Sequence, residues 1–171
     1  MDGELWDLTD AAGEPAGVTH RRGAPGFPEG LFHIVSAVCV VRDDGLVLIT
    51  QRAAVKDHPL MWEFPAGSIL AGETSREGAV RELREETGLR AEVDALEEVG
   101  RVVEAEALVD LYVVRGLADL TLTLDPEEVA ASAWVPFAEV WRRCADRSMA
   151  GPWIDRLGIL GARLEAMAGT E

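Results

Sequence analysis

An α/β fold, with a mixed sheet flanked by helices, is predicted by three features of the sequence. Residues 32–41, FHIVSAVCVV, form a nearly unbroken apolar and β-branched run, the pattern of a strand covered on both faces. Two segments carry helical patterning: 74–87, with start and stop signals at its ends, and the chain from Trp153, where apolar residues recur at 153, 157, 160, 164 and 167. Strands and helices follow one another without strict βαβ alternation, so a mixed sheet is expected rather than an all-parallel one.

The first thirty residues are rich in Gly and Pro (Gly13, Pro15, Gly17, Gly23, Pro25, Gly26, Pro28, Gly30) and read as turns with short strand pieces. After the apolar run, Asp43-Asp44-Gly45 supplies a turn and LVLITQR returns as a second strand, making a hairpin. A loop, AAVKDHPLMWEFPAGS, leads to the helix over 74–87. Thr74 is its N-cap, Glu77 three residues on completes a capping box, and Gly88 fits the left-handed residue past its end. Segments 91–104 and 106–116 read as strands, with Gly100 and Gly116 as breaks, and TLTL at 121–124 alternates like another, stopped by Asp125-Pro126. ASAWVPF holds a short strand, 137–149 is helical, and the stripe from Trp153 is a helix facing the core.

The 171 residues (18.5 kDa) suit one domain of about 100–200 residues. An apolar fraction of 48% and a charged fraction of 27% exclude intrinsic disorder. Lys plus Arg is 16 against 31 for Asp plus Glu, a formal net charge of −15. That balance argues against a nucleic-acid partner and against an anionic membrane surface. It leaves phosphate-bearing small molecules open, provided that divalent cations mediate the contact. Cys39 and Cys144 set no disulfide framework, so a reducing, cytoplasmic setting is expected. The acidic start MDGELWDLTD is no signal peptide, and no apolar stretch nears the roughly 18 residues of a membrane helix.

The chemistry concentrates in GSILAGETSREGAVRELREETGL, residues 67–89. Glu82, Glu85 and Glu86 stand at i, i+3 and i+4, so one helix face projects three carboxylates. On the residues alone two readings stand. One is a solvated acidic face neutralised by Arg76, Arg81 and Arg84. The other is a site for a hard divalent cation, which takes carboxylate oxygens plus water and substrate phosphate, with a nearby Gly letting a backbone carbonyl approach.

The segment resembles the Nudix box of the Nudix hydrolases: Gly, five residues, Glu, seven residues, Arg-Glu, an apolar residue, any residue, Glu-Glu, any residue, Gly, an apolar residue. Gly67, Glu73, Arg81, Glu82, Leu83, Glu85, Glu86, Gly88 and Leu89 fill every fixed place. A chance match is on the order of 10⁻⁸ per start site, from seven positions that each demand one residue type. The resemblance implies a Nudix-type α/β/α sandwich over 1–171, with 1–30 as an N-terminal extension packed on the domain and 150–171 as a C-terminal helix. It further implies a Mg²⁺-dependent hydrolase, Mn²⁺ substituting, that cleaves a phosphoanhydride of a nucleoside di- or triphosphate or a related nucleotide diphosphate. Glu82, Glu85 and Glu86 resemble the metal ligands, with the Gly67 carbonyl joining them. Arg81 resembles the partner that orients a box carboxylate, and Glu73 a support for the loop. Which glutamate is the general base is not specified.

The N-terminal half, with ELWDLTDAAGEPAG, LFHIVSAVCVV and LITQRAAVKDHPLMWEF, resembles the isopentenyl-diphosphate isomerase group of that superfamily. His33 stands where that group has a metal-binding histidine, and Glu104 and Glu106 resemble its pair of metal-binding glutamates. On a strand, residues two apart share a face, so both would reach one ion. The isomerase's catalytic cysteine, immediately before the box glycine, is here Ala66, and Ser68 and Ile69 stand where a histidine follows. Isomerisation needs a proton donor and acceptor about the alkene, which Ala66 does not supply. The expectation is therefore an isomerase-like scaffold carrying hydrolase chemistry. The alternatives are an isomerase of prenyl diphosphates or a non-catalytic nucleotide-binding module. Arg52 is the candidate phosphate contact, and Phe32 and Phe64 are candidates for stacking on a base. The expected partner is a small nucleotide; the sequence assigns no oligomeric state.

Overall fold

The computed structural model describes residues 3–169; Met1, Asp2, Thr170 and Glu171, the tips of the expected extension and C-terminal helix, lie outside the described residues. The Gly- and Pro-rich beginning is more regular than its composition suggests. β1 (Leu5–Thr9) and β2 (Pro15–Arg21) pair antiparallel as a separate two-stranded sheet. Trp6 and Leu8 of β1 point inward and are buried. Three backbone contacts fasten the hairpin. Thr9 and Phe32 exchange hydrogen bonds of 2.8 and 2.9 Å, and Ala71 N–H donates to the Leu5 carbonyl at 2.7 Å.

The main sheet contains β3 (His33–Val41), β4 (Val47–Arg52), β5 (Trp62–Glu63), β6 (Ala66–Ser68), then, after helix α1 (Ser75–Thr87), β7 (Glu97–Val103), β8 (Ala107–Arg115) and β9 (Val129–Val135). Two helices follow, α2 (Phe137–Ala145) and α3 (Gly151–Ala168). The strand order is β5-β4-β3-β8-β7, with β6 pairing β3 and β9 pairing β4. β3 and β8 are parallel from His33↔Ala107 to Val41↔Arg115, and the other pairings are antiparallel. The sheet is mixed, as the irregular alternation of elements implied. β3 and β4 pair only at Val41↔Val47, beside the Asp-Asp-Gly turn. Beyond that point β5 pairs with β4 and β6 with β3, which carries Glu63 and Gly67 into the sheet on short strands.

Side-chain alternation gives the sheet two apolar faces. Ala37, Cys39 and Val41, with Val47, Ile49, Leu111 and Val113, pack against Val140 of α2 and Trp153, Leu157 and Leu164 of α3. Val38 and Val40, with Leu48, Tyr112 and Val114, pack against Ala79 and Leu83 of α1. The result is the α/β/α sandwich. Each fully buried Leu, Val or Phe contributes about 1.5–3 kcal/mol of transfer free energy, so both faces are strongly driven together.

Five expectations need correction. The stretch AAVKDHPLMWEFPAGS, read as a loop, contains the short strands β5 and β6, each paired to a longer strand of the sheet. TLTL at 121–124 is not a strand. Its backbone instead satisfies the end of α1: Thr123 N–H donates to the Thr87 carbonyl at 2.8 Å and Asp125 N–H to the Glu86 carbonyl at 3.2 Å. Those carbonyls have no partner within the helix, so the capping contact displaces the ladder. The segment 91–104 is a short 3₁₀ turn (Val93–Ala95) followed by β7. Gly100 lies within β7 at a register shift rather than breaking it. The helix expected over 137–149 ends at Ala145, and Met149 instead forms a β-bridge to Trp62.

Candidate active site

Helix α1 is fixed by local chemistry at both ends. Thr74 Oγ1 accepts from Glu77 N–H at 3.3 Å while the Glu77 carboxylate accepts from Thr74 N–H at 2.7 Å, closing the capping box. Gly88 takes the left-handed conformation (φ 78°) and its N–H donates to the Arg84 carbonyl at 2.8 Å. Leu83 is buried, which fixes the rotation of the helix about its axis and aims Glu82 and Glu86 at the loop before it.

Arg81 ties that face together. Its Nε and Nη2 donate to the two Glu73 oxygens at 2.8 and 2.9 Å, and Nη2 also reaches the Ser68 carbonyl at 3.0 Å. Nη1 donates to Glu82 at 2.7 Å and Glu85 at 3.1 Å. Glu73 accepts from Leu70 N–H at 3.0 Å, so Arg81 and Glu73 together brace the loop onto the helix. The guanidinium holds the Glu73 carboxyl below the usual carboxylate range. Gly67 lies against Glu82 so closely that a Cβ there would overlap the carboxylate.

The trio expected on one face is divided by depth. Glu85 has a half-exposed side chain, Glu82 is mostly buried, and Glu86 is 3% exposed. Glu86 Oε2 is buried with no hydrogen-bond partner. Burial, and then the neighbouring Glu63 and Glu82 carboxylates, push the Glu86 pKa well up. Burial also raises Glu82 and Glu63, against the attraction of Arg81 and Arg52 respectively. All four acids, Glu63, Glu82, Glu85 and Glu86, line a cavity of about 350 Å³, with Gly67 and Ala66 on its wall.

Glu63 was not anticipated. It lies on β5, its Oε1 and Oε2 both accept from Arg52 Nη1 at 2.8 Å, and it is 6% exposed. The only signal in the sequence was its place in WEFPAG, just before the acidic segment. Lys56 pairs with Glu128, Arg22 with Glu4 at 2.8 Å, and all four of these residues line the same cavity.

The remaining candidates are placed as follows. Arg52 lines the cavity, with Nε on the Asp57 carbonyl and Nη1 on Glu63. Glu104 and Glu106 lie in the turn between β7 and β8 rather than on a strand, so they share no strand face. Glu104 is engaged by Arg156, whose Nε and Nη2 donate to its two oxygens at 2.7 and 3.0 Å, and Glu106 is exposed. Phe64 is fully buried in the core, edge-on to Trp153 at 5.2 Å, and has no face to offer a base. The Phe32 backbone is committed to Thr9, and its side chain is half-buried. His33 stacks on Trp6 at 4.1 Å with Nδ1 buried and unpartnered; burial, with Arg22 nearby, lowers its pKa to about 4.

As the side chains stand, the described residues contain no group of three or more His, Cys, Asp or Glu arranged to hold a metal ion. Arg81 already engages three of the box carboxylates, Glu73, Glu82 and Glu85. The donor set nevertheless fits a hard divalent cation: carboxylate oxygens and a close backbone, with one buried oxygen lacking any partner.

The family model for the NUDIX domain matches residues 32–157. A protein named as an uncharacterized Nudix hydrolase of Listeria monocytogenes is 35% identical over 140 residues, 80% of this chain and 82% of its own. An isopentenyl-diphosphate Delta-isomerase of Cereibacter sphaeroides is 33% identical over 135 residues, 73% of this chain and 76% of its own. Among solved structures, one from Deinococcus radiodurans superposes with a TM-score of 0.69 at 22% identity, covering 84% of this chain and 90% of the other, a likeness of fold.

Proposed function

Since the chain belongs to the Nudix hydrolase family, whose domain spans most of it, we propose that it hydrolyses a phosphoanhydride bond of a nucleoside di- or triphosphate, or a related nucleotide diphosphate, with Mg²⁺ as its cofactor and Mn²⁺ able to substitute. The observation that carries this reading is Glu86: a buried carboxylate with an unpartnered oxygen, facing Glu63 and Glu82 in a cavity of about 350 Å³. Such a cluster is costly without a cation and productive with one.

In this reading Glu82, Glu85 and Glu86, with the Gly67 carbonyl, hold the metal. The bound cation would neutralise pyrophosphate charge and lower the pKa of a water. Arg81 and Glu73 keep the loop carrying Gly67 on α1, and Arg81 restrains Glu82 and Glu85 until they are engaged. Arg52, fixed by Glu63, offers its guanidinium to a phosphate. Water oxygen bonds to phosphorus, the anhydride P–O bond breaks, and the water's proton passes to one of the cavity carboxylates. The free thiols fit a cytoplasmic setting.

The isomerase relative favours a second reading, an enzyme of prenyl diphosphates. Ala66 lines the cavity where that chemistry would place a thiol, and Cys39 is sealed in the core, so the hydrolase is preferred. Incubation with Mg²⁺ and a panel of nucleoside di- and triphosphates, sugar nucleotides, dinucleotides and isopentenyl diphosphate, read by phosphorus NMR, tests both. Cleavage of one nucleotide class, abolished by EDTA and by Glu86→Gln, is expected. Allylic isomer from isopentenyl diphosphate would move the assignment to the isomerase. Nucleotide binding with no turnover would move it to a non-catalytic module.

A further inference from the structure

Four cations line the acidic cavity: Arg22, Arg52, Lys56 and Arg156. Three of them are paired with carboxylates on the same wall, Glu4, Glu63 and Glu128. Arg156 is the exception. Its counter-ion is Glu104, in the β7–β8 turn, which does not line the cavity. The positive charge of Arg156 therefore faces the cavity while its compensating negative charge stands behind it.

Arg156 is also held in a geometry suited to an anion. Nε and Nη2 grip Glu104, and the guanidinium lies 5.2 Å from the centre of the Trp153 ring. Nη1 has no protein partner among the described residues. The side chain is 13% exposed, so little water screens it. Arg52 is fixed in the same manner, with Nε on the Asp57 carbonyl, Nη1 on Glu63, and Nη2 without a protein partner among the described residues. The two arginines and Glu63 form a wall shared with a second cavity of about 220 Å³, which opens towards the start of α3.

We propose that Arg156, with Arg52, forms a second anion subsite, which takes a phosphate of the substrate that the box carboxylates do not hold, and that Glu104 is the positioning residue that anchors Arg156. The inference rests on the hydrolase reading and names its substrate class: a nucleoside triphosphate, with an anionic group beyond the phosphates at the carboxylates, in preference to a diphosphate ending in an uncharged group. A planar guanidinium held on one edge presents its other edge to phosphate oxygens with little further loss of entropy.

Binding tests this without turnover. Inorganic tripolyphosphate is titrated calorimetrically into the full chain in Mg²⁺ and, separately, in EDTA. Arg156→Ala is expected to weaken binding about tenfold in both buffers, Arg156→Lys to recover part of it, and Glu104→Gln to weaken it severalfold. Melting curves check the fold, and Arg156→Gln serves if the alanine variant does not fold. Wild-type affinity in a folded Arg156 variant, with only the melting temperature lowered, would show a tie between α3 and the turn and overturn the proposal, as would absence of tripolyphosphate binding by the wild type. Glu86→Gln separates the two readings: arginine-dependent binding in EDTA that survives in this variant supports the subsite even if no nucleotide in the panel is hydrolysed.

Discussion

Glu86 concentrates the tension in this molecule. Buried beside Glu63 and Glu82, it has a pKa above that of the unfolded chain, as do those two neighbours. A raised carboxyl pKa means that the folded state binds the proton more tightly. Its stabilising contribution is complete below the unfolded value, near pH 4.5, and is lost as pH rises through the folded value. Glu73 has the opposite sign: Arg81 lowers its pKa, so its contribution exists above the unfolded value and is lost as pH falls through the folded one. The metal-free protein should therefore lose stability as pH rises above about 4.5. Glu86→Gln should flatten that slope while lowering hydrolysis at least about 100-fold, as melting curves in EDTA and rates in Mg²⁺ would show. A metal-free melting temperature independent of pH in this range would contradict the electrostatics. The sequence made the box glutamates legible because their spacing is local. It hid Glu63, whose significance comes from Arg52 one strand away, and it misdirected Phe64 and Glu104, whose partners Trp153 and Arg156 lie far along the chain on α3.

At the scale of elements, α1 was readable to within one residue because cap, stripe and terminator are all consecutive in sequence. The segment 121–125 was not, because alternation alone does not reveal that the end of α1 needs its N–H groups. The junction between β6 and α1 is where element packing becomes chemistry. Gly67 gives Glu82 its space, so Gly67→Ala should push the carboxylate and the strand apart. Because the clash is confined to the cavity wall, the expected result is a folded protein with activity reduced about 10- to 100-fold and weaker Mg²⁺ dependence, measured by circular dichroism and metal titration of the rate. Wild-type activity in this variant would show that the close approach has no role.

Across the whole molecule, the two apolar faces of the sheet hold α1 on one side and α2 and α3 on the other, and the acidic cavity draws its wall from elements of nearly every part of the chain. The mixed sandwich was legible from the order of elements; the N-terminal hairpin was not, because Gly and Pro masked its pairing. That hairpin reaches the loop before α1 through Asp7, which accepts from Gly72 N–H at 2.8 Å, and it places Glu4 and Arg22 at the cavity. Asp7→Ala should cost about 1 kcal/mol in denaturant melts and reduce turnover without altering the bound metal. The central claim is that water attacks phosphorus under control of the box carboxylates. Its most direct test is turnover of the preferred nucleotide in ¹⁸O-labelled water with Mg²⁺. The account predicts one ¹⁸O in a phosphate of a single product, absent in EDTA and in Glu86→Gln. Label at carbon, or equal incorporation with Glu86→Gln, would contradict it.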